Sequence, residues 1–207
     1  MSSGLRFLPA FLNHSQQRVL AKTLAMAIAA APFFTPVMPG TGRPFSVRMT
    51  NLGKLGWVSD RAGGYRYQAT HPETGKPWPD IPEMVLEIWR KVSDYPHDPE
   101  ACLVNYYGAG ARMGLHRDVD EEDIAAPVVS ISLGDTAVFR LGGIARGGKT
   151  ETMRLSSGDV LVMGGASRLR YHGIDRVVAG TSTLIEGGGR INLTLRRVTR
   201  PSSAAKN

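Results

Sequence analysis

The sequence predicts a mainly β protein with flanking helices, built around a jelly-roll core of the double-stranded β-helix type. Two observations support this prediction. From residue 100 onward the chain consists of short apolar runs separated by glycine-rich breaks, a pattern typical of sandwiches and barrels. The candidate metal ligands His116, Asp118 and His172 fall within this region, and a cupin-like jelly roll is the barrel that carries metal ligands inside its mouth.

Two helices are expected before the strand-rich part. Apolar residues at helical spacing predict an amphipathic surface helix over residues 15–31, with Asn13 or Ser15 as its N-cap. An apolar stripe predicts a second helix over residues 83–93. The segment between them is rich in glycine, proline and aromatic residues and contains short strand-like runs. These runs cover residues 46–49 and 65–67.

Past residue 100 the sequence predicts nine strands, most of them separated by glycine-containing breaks, which would form the sheets of the jelly roll. The predicted strands cover residues 101–107, 112–116, 128–133, 137–141, 152–155, 159–163, 169–172, 183–186 and 190–197. The final segment, residues 199–207, is expected to be a disordered tail.

Composition limits the class of protein. With 207 residues one domain is the default, and the single Cys102 permits no internal disulfide, which fits a reducing compartment. The net charge is +7, and residues 124–207 account for it with 12 Lys/Arg against 5 Asp/Glu. Such a basic surface attracts phosphates, although solubility is an equally ordinary reason for it. Prolines break the uncharged stretch at residues 23–42, so we expect no membrane span and a cytoplasmic location.

A metal site of two histidines and one carboxylate is predicted from His116, Asp118 and His172. Residues two apart on a strand share a face, so His116 and Asp118 can point into one cavity, and His172 follows late enough to return to it. Such a triad holds non-haem Fe(II) and leaves positions open for substrate and O2. Zinc is the alternative metal, and a surface hydrogen bond is the alternative role of an isolated His–Asp pair.

The last predicted strand alternates polar and apolar residues. Its polar members are Arg190, Asn192, Thr194 and Arg196. They share one face, and two arginines that face a barrel interior need an anionic partner. We favour 2-oxoglutarate, with its 1-carboxylate and keto group on iron and its far carboxylate on Arg190. A half-buried edge strand with a solvated polar face is the alternative. Asn105 and Tyr107 are candidates to hydrogen-bond the same molecule.

A set of motifs, taken in order and with their spacing, resembles the bacterial AlkB dioxygenases. The motifs are Met49-Thr50-Asn51, Leu55-Gly56-Trp57, Asn105-x-Tyr107, His116-x-Asp118-x-Asp120-Glu121, Pro127-x-Val129-Ser130-x-Ser132-Leu133-Gly134, Ser157-Gly158-Asp159-Val160, Gly164-Gly165-x-Ser167-Arg168, Tyr171-His172-Gly173-Ile174 and Arg190-x-Asn192-Leu193-Thr194-x-Arg196. The resemblance implies an enzyme that uses Fe(II), O2 and 2-oxoglutarate to demethylate N-alkylated bases, chiefly 1-methyladenine and 3-methylcytosine. Its implied partner is single- or double-stranded methylated DNA, with RNA as a second substrate, and its products are succinate, CO2 and formaldehyde.

The resemblance also implies roles for individual residues. The implied iron ligands are His116, Asp118 and His172. The implied 2-oxoglutarate-binding residues are Asn105, Tyr106, Tyr107, Arg190, Asn192 and Arg196. The implied base-contacting residues are Trp57, Tyr65, Arg66, Tyr67, Asp120 and Arg146. Without the resemblance, Trp57 would be interpreted as a core aromatic, the acidic residues 118–123 as a solvated loop and Arg146 as a surface charge.

The same resemblance divides the single structural domain into segments. They are an N-terminal extension and helix (1–39), a nucleotide-recognition lid with a supporting helix (40–99), the dioxygenase jelly roll (100–198) and the tail (199–207). A monomer is expected. Three positions depart from the expected pattern: Tyr106 replaces Arg, Met163 replaces Trp, and the turn at residues 62–64 is one residue longer.

Two other functions remain open from the residues alone. The first is a 2-oxoglutarate oxygenase that hydroxylates a small molecule or a protein side chain. The second is a nucleic-acid-binding module with a vestigial metal site. Release of formaldehyde from a methylated oligonucleotide would separate these functions from a base demethylase.

Overall fold

Two antiparallel sheets pack against each other as a jelly roll in the computed structural model, which describes residues 4–201. The strands are β1 (Leu5–Leu8), β2 (Arg48–Gly53), β3 (Gly56–Asp60), β4 (Gly64–Gln68), β5 (Ala101–Tyr107), β6 (Met113–His116), β7 (Val128–Gly134), β8 (Thr136–Leu141), β9 (Glu151–Leu155), β10 (Val160–Met163), β11 (His172–Val178) and β12 (Arg190–Arg196). The helices are α1 (His14–Ala30) and α2 (Glu83–Val92), with one 3-10 turn at Gly165–Ser167. The predicted fold class, mainly β with flanking helices, is confirmed.

The two sheets differ in size and composition. The major sheet has six strands in the order β1-β10-β7-β12-β5-β2, and the minor sheet has four in the order β6-β11-β8-β9. β3 and β4 pair only with each other and form a hairpin beside the sheets, which we call the lid hairpin. Because β1 and β2 join the major sheet, that sheet takes strands from the N-terminal extension and the lid segment as well as from the segment predicted as the core.

The alternation along β12 explains why the major sheet is covered on both faces. Ile191, Leu193 and Leu195 belong to a buried apolar cluster that includes Leu24 of α1 and Trp89 of α2. The residues between them point the other way, toward the minor sheet, and line a cavity between the two sheets. The period-two pattern of the sequence therefore separates a helix-covered core from the site.

Both helices lie where the sequence predicts them, within one residue at each end. A capping box begins α1: the Asn13 side chain accepts a hydrogen bond from the Gln16 backbone N–H at 2.9 Å, and the Gln16 side chain accepts one from the Asn13 backbone N–H. In α2 the buried Trp89 donates its indole N–H to the His97 carbonyl at 3.0 Å. Within residues 4–201 no helix is long and apolar enough to cross a membrane.

Several strand predictions need correction. The predicted strand at residues 183–186 is wrong, because this segment forms bends and the start of a turn that continues into glycines with positive φ. The sequence reasoning missed β1 and β3, and it predicted a strand over residues 169–172 although β11 only begins at His172. β1 is short and half exposed, so its own composition gives a weak signal, and pairing with β10 defines it.

The predicted tail lies mostly outside the described residues, which end at Pro201. Its first residue is anchored, because the Thr199 backbone N–H donates to the Glu100 carboxylate at 2.7 Å and the Thr199 hydroxyl donates to the same carboxylate at 2.8 Å. Residues 202–207 are not among those described, so their predicted disorder stays a prediction.

The buried Asp135 fixes the loop that replaces the predicted strand. Its Oδ1 accepts hydrogen bonds from the backbone N–H groups of Thr181 at 2.9 Å and Ser182 at 3.0 Å. Its Oδ2 accepts one from the Gly189 N–H at 3.1 Å, and the Asp135 N–H donates to the Gly189 carbonyl at 2.8 Å. Asp135 therefore holds the chain at the residue that precedes β12.

We predict that Asp135→Asn destabilises the protein by about 1–3 kcal/mol, since either orientation of the amide turns an NH2 group toward an N–H donor that the buried carboxylate now accepts from. Urea unfolding monitored by tryptophan fluorescence measures the change. The matched control is Asp175→Asn, the same chemical change at an exposed carboxylate that pairs with Arg176. Equal stabilities of the two variants would show that the Asp135 carboxylate does not hold this loop.

Candidate metal centre and adjoining cavity

The three predicted metal ligands lie together where the sheets open. His116 ends β6, His172 begins β11, and the two residues are direct partners across the minor sheet. The nearest ligand atoms of His116, Asp118 and His172 all lie within 4.8 Å of one another. Each histidine approaches a different oxygen of Asp118: His116 Nε2 lies 3.8 Å from Oδ1, and His172 Nε2 lies 3.8 Å from Oδ2. The set has the composition of a facial triad.

A glycine beside the triad allows the two strands to approach. A Cβ atom on Gly173 would lie 2.5 Å from the Met113 carbonyl oxygen and 2.8 Å from that of Gly114. Because both contacts are with backbone, a side chain at this position would push β6 away from β11. Gly173 therefore makes possible the pairing that sets His116 opposite His172.

Backbone hydrogen bonds orient both imidazoles for metal binding. His116 Nδ1 lies 2.9 Å from the Gly114 carbonyl oxygen, and His172 Nδ1 lies 3.0 Å from that of Arg170. A carbonyl only accepts, so Nδ1 carries the proton in each ring and Nε2 keeps its lone pair. Burial lowers the pKa of His172 to about 4, so this ring is neutral at pH 7, the form that binds a metal.

The charge of Asp118 is stabilised from the major sheet. Arg196 Nη2 donates to Asp118 Oδ1 at 3.0 Å, and Arg168 Nη1 donates to the Asp118 backbone carbonyl at 2.8 Å. Burial alone would raise the pKa of Asp118, but the nearby positive charge of Arg196 lowers it well below its usual range. The second oxygen, Oδ2, has no hydrogen-bond partner and stays available on the side of His172.

Glu121 completes this buried ion network and ties the lid hairpin to it. Its carboxylate accepts from Arg168 Nη2 at 2.9 Å and lies 3.4 Å from Arg196 Nε. The Tyr67 hydroxyl of the lid hairpin donates to the same carboxylate. Burial raises the pKa of Tyr67 well above its ordinary value, so the phenol keeps the proton that it donates.

The sequence reasoning missed Glu121 and Arg168 as site residues. Without the resemblance the acidic run is interpreted as a solvated loop, whereas the structure buries Asp118, Glu121 and Asp123 and exposes the other acidic members. Both missed residues lie inside motifs that carry the AlkB resemblance, which is the one signal that pointed to them.

The cavity between the sheets adjoins the triad and is lined by the predicted co-substrate residues except one. Its polar walls include Asn105, Tyr107, Arg190, Asn192, Thr194 and Arg196. Tyr106 is the exception: strand alternation turns it to the helix-covered face of β5, where its ring lies 5.7 Å from that of Phe33 and 4.8 Å from the Arg48 guanidinium. The prediction that Tyr106 lines the cavity with Asn105 and Tyr107 is therefore wrong.

Unpartnered polar atoms mark where ligands would bind. Among residues 4–201, the buried side-chain atoms without a hydrogen-bond partner are Asn105 Oδ1, Asp118 Oδ2, Arg190 Nε and Arg196 Nε. All four belong to the triad or to the cavity wall, and Arg196 Nε still has the ion pair with Glu121. Buried polar groups are normally satisfied, so their concentration here indicates a binding site.

Arg190 fits a carboxylate ligand in particular. It is fully buried, donates to the Leu155 carbonyl at 3.1 Å and to Ser132 Oγ at 2.8 Å, and forms no ion pair within the described part of the chain. Burial lowers its pKa to about 10, which still leaves the guanidinium charged at pH 7. A buried cation without a counter-ion is costly, and the far carboxylate of 2-oxoglutarate would remove that cost.

The predicted base-contacting residues divide into two groups. Trp57 stacks on Tyr65 with ring centroids 5.5 Å apart, and its indole N–H donates to Asp120 Oδ2 at 2.8 Å, two residues from the ligand Asp118. Arg66 lies on the other face of the lid hairpin, opposite Val58, and pairs with Asp60 at 2.8 Å. Arg146 is exposed on the loop that joins β8 to β9.

Comparison with known proteins agrees with this geometry. A model of the 2OG-Fe(II) oxygenase superfamily matches residues 4–196. An alpha-ketoglutarate-dependent dioxygenase AlkB homolog of Caulobacter vibrioides is 53% identical over 194 residues, which are 94% of this chain and 87% of that protein. The AlkB of Escherichia coli is 40% identical over 201 residues, with 95% and 91% covered. The structure of OsALKBH1 has a TM-score of 0.77 and 32% identity, with 95% and 98% covered.

We predict that His172→Ala weakens Mn(II) binding by more than roughly 100-fold, because it removes a metal ligand. Loss of a residue that only hydrogen-bonds a ligand typically costs about 10–100-fold. Titration calorimetry of the folded protein measures the affinity. His14→Ala, at the exposed start of α1, is the matched control and should bind Mn(II) like the wild type. Wild-type affinity in His172→Ala would remove this residue from the metal site.

We predict that Glu121→Gln destabilises the protein by about 3–5 kcal/mol, since it leaves two buried arginines short of a counter-charge. It should also lower Mn(II) affinity roughly 10–100-fold in the folded protein, because Arg196 holds both Glu121 and Asp118. Denaturant unfolding and metal titration measure the two effects. The neighbouring exposed Glu122→Gln is the control, and two variants of equal stability would contradict the network.

Proposed function

This chain belongs to the AlkB family of 2-oxoglutarate- and Fe(II)-dependent dioxygenases, and we propose that it removes methyl groups from ring nitrogens of nucleic-acid bases. The proposed substrates are 1-methyladenine and 3-methylcytosine in single- or double-stranded DNA, with RNA as a second substrate. We further propose that the enzyme acts as a monomer in the cytoplasm.

The observation that carries this proposal is the Trp57–Asp120 pair beside the metal ligands. A stacked aromatic surface binds any base, at roughly 1–3 kcal/mol per base. The carboxylate of Asp120 adds an attraction for a positively charged ring, and methylation at N1 of adenine or N3 of cytosine produces such a ring. Because Asp120 is two residues from Asp118, a base on this surface would bring its methyl group close to the metal.

The chain's own residues bind and orient the reactants. Arg190 and Asn105, with their unpartnered buried atoms, would hold 2-oxoglutarate in the cavity, and His116, Asp118 and His172 would hold Fe(II). When bound, these groups supply O2-dependent hydroxylation of the methyl carbon, from which formaldehyde leaves while 2-oxoglutarate becomes succinate and CO2. A duplex hides the methyl group, so the target base has to leave the stack.

A panel of methylated oligonucleotides, assayed for formaldehyde with and without Fe(II) and 2-oxoglutarate, tests the proposal. We expect formaldehyde only when both are present. Turnover of 2-oxoglutarate without release from any methylated nucleic acid would favour an oxygenase for a small molecule or protein. Tight nucleic-acid binding without turnover of 2-oxoglutarate would favour a binding module with a vestigial metal site.

We predict that Asp120→Asn lowers kcat/KM on cationic 1-methyladenine and 3-methylcytosine more than on neutral 1-methylguanine and 3-methylthymine. The amide oxygen can still accept from the Trp57 indole N–H, so the ring keeps its orientation and the carboxylate charge is lost. Trp57→Ala is the comparison variant and should weaken all four lesions by a similar factor. Equal losses on both lesion classes in Asp120→Asn would reject selection by charge.

A further inference from the structure

Two apolar side chains at the mouth of the site are exposed without a structural reason. Val119 is 51% exposed and Ile144 is 67% exposed, the latter the largest value among the exposed large apolar residues of the described chain. Val119 lies between the ligand Asp118 and the base-contacting candidate Asp120. Single exposed apolar residues are ordinary, but here two separate segments each present one beside the same metal site.

The position of Ile144 relative to the metal ligands is fixed. The loop that carries it is bonded to Tyr171, the residue before His172: the Gly142 N–H donates to the Tyr171 carbonyl at 2.7 Å, and the Tyr171 N–H donates to the Gly143 carbonyl at 2.9 Å. Arg117, between His116 and Asp118, lies over the Tyr171 ring at 4.9 Å, and its Nη1 donates to the Ile144 carbonyl at 3.4 Å. Ile144 is therefore anchored to both segments that supply the metal ligands.

The charges around Ile144 indicate what covers it. The loop at residues 142–150 contains Arg146 and Lys149 and no acidic residue. Arg117, which donates to the Ile144 carbonyl, brings a third cation to this loop. An apolar side chain beside cations complements a polynucleotide, whose bases offer flat apolar faces and whose backbone carries phosphates.

We propose that Val119 and Ile144 contact the bases on either side of the target base in a polynucleotide strand. This inference rests on the proposed function and deepens it, because it makes a strand with neighbouring bases, rather than a free nucleotide, the preferred substrate. Removing one base from a stack leaves a gap, and an apolar side chain between base steps fills such a gap and keeps the neighbours apart.

The test compares two substrates that carry the same lesion. Ile144→Ala should lower kcat/KM on an oligonucleotide containing 1-methyladenine by roughly tenfold, as expected for loss of one buried apolar contact, and should leave kcat/KM on 1-methyladenosine monophosphate unchanged. Val119→Ala should act in the same direction. Val19→Ala is the matched control, since Val19 is 53% exposed on α1, and it should change neither substrate.

A second readout does not depend on turnover. In an oligonucleotide with 2-aminopurine beside the lesion, binding in the absence of O2 should raise the 2-aminopurine fluorescence as the base unstacks, and Ile144→Ala should reduce that rise. Equal losses on oligonucleotide and mononucleotide, or wild-type behaviour of Ile144→Ala on both, would overturn the inference. If the wild type releases no formaldehyde from any methylated nucleic acid, the proposed function itself fails, so the two failures are distinguishable.

Discussion

The buried ion pair between Arg196 and Asp118 is the interaction on which the site depends. Arg196 comes from β12, inside the major sheet, and holds one oxygen of a metal ligand at 3.0 Å. Burial by itself favours the protonated carboxyl, which is a poor metal ligand, and the Arg196 charge is the largest contribution that opposes it. The pair also has to be balanced, because Arg168 brings a second buried positive charge to the same place. Glu121 supplies the second negative charge, so two arginines and two carboxylates form one network.

The same strand serves both the stability and the chemistry of the protein. One face of β12 contributes Leu193 and Leu195 to the helix-covered core, and the other contributes Arg190 and Arg196 to the cavity. A shift of the strand by one residue would bury both arginines against the helices and expose the leucines to the cavity. Its register is therefore constrained from both sides, by hydrophobic burial and by charge pairing. Asp135 adds a further constraint, since it holds Gly189 immediately before the strand.

Structural features that depend on residues close together in the sequence could be predicted from it. The alternation of β12, the helical spacing in α1 and α2, and the H-x-D pair are local, and the structure has them where the sequence indicates. Contacts between distant residues could not be predicted in this way. Arg168 and Glu121 meet only because the fold brings their segments together, and nothing in the acidic run itself distinguishes the buried Glu121 from the exposed Glu122.

Errors in the prediction have similar causes. Residues 183–186 combine two apolar and two polar residues, and hydrogen bonds from the neighbouring loop to Asp135 outweigh their weak preference for a strand. Tyr106 was grouped with Asn105 and Tyr107 although strand alternation separates it from them. Its ring instead packs beside Phe33, on the face that the helices cover. Neighbouring residues on a strand face opposite sides of the sheet, so one sequence motif on β5 contributes to both the cavity and the helix-covered core.

The lid hairpin is joined to the metal centre by two contacts of unequal strength. Tyr67 donates to the buried Glu121, where water does not compete, whereas the Trp57–Asp120 hydrogen bond is exposed to solvent. Losing the buried contact would remove the hydrogen bond to Glu121 Oε1, which water does not replace, but losing the exposed one costs little because water replaces it. The hairpin is therefore firmly attached at Tyr67 and more easily rearranged at Trp57. The base of the proposed substrate could then compete for the Asp120 carboxylate without disturbing the network that holds the metal ligand.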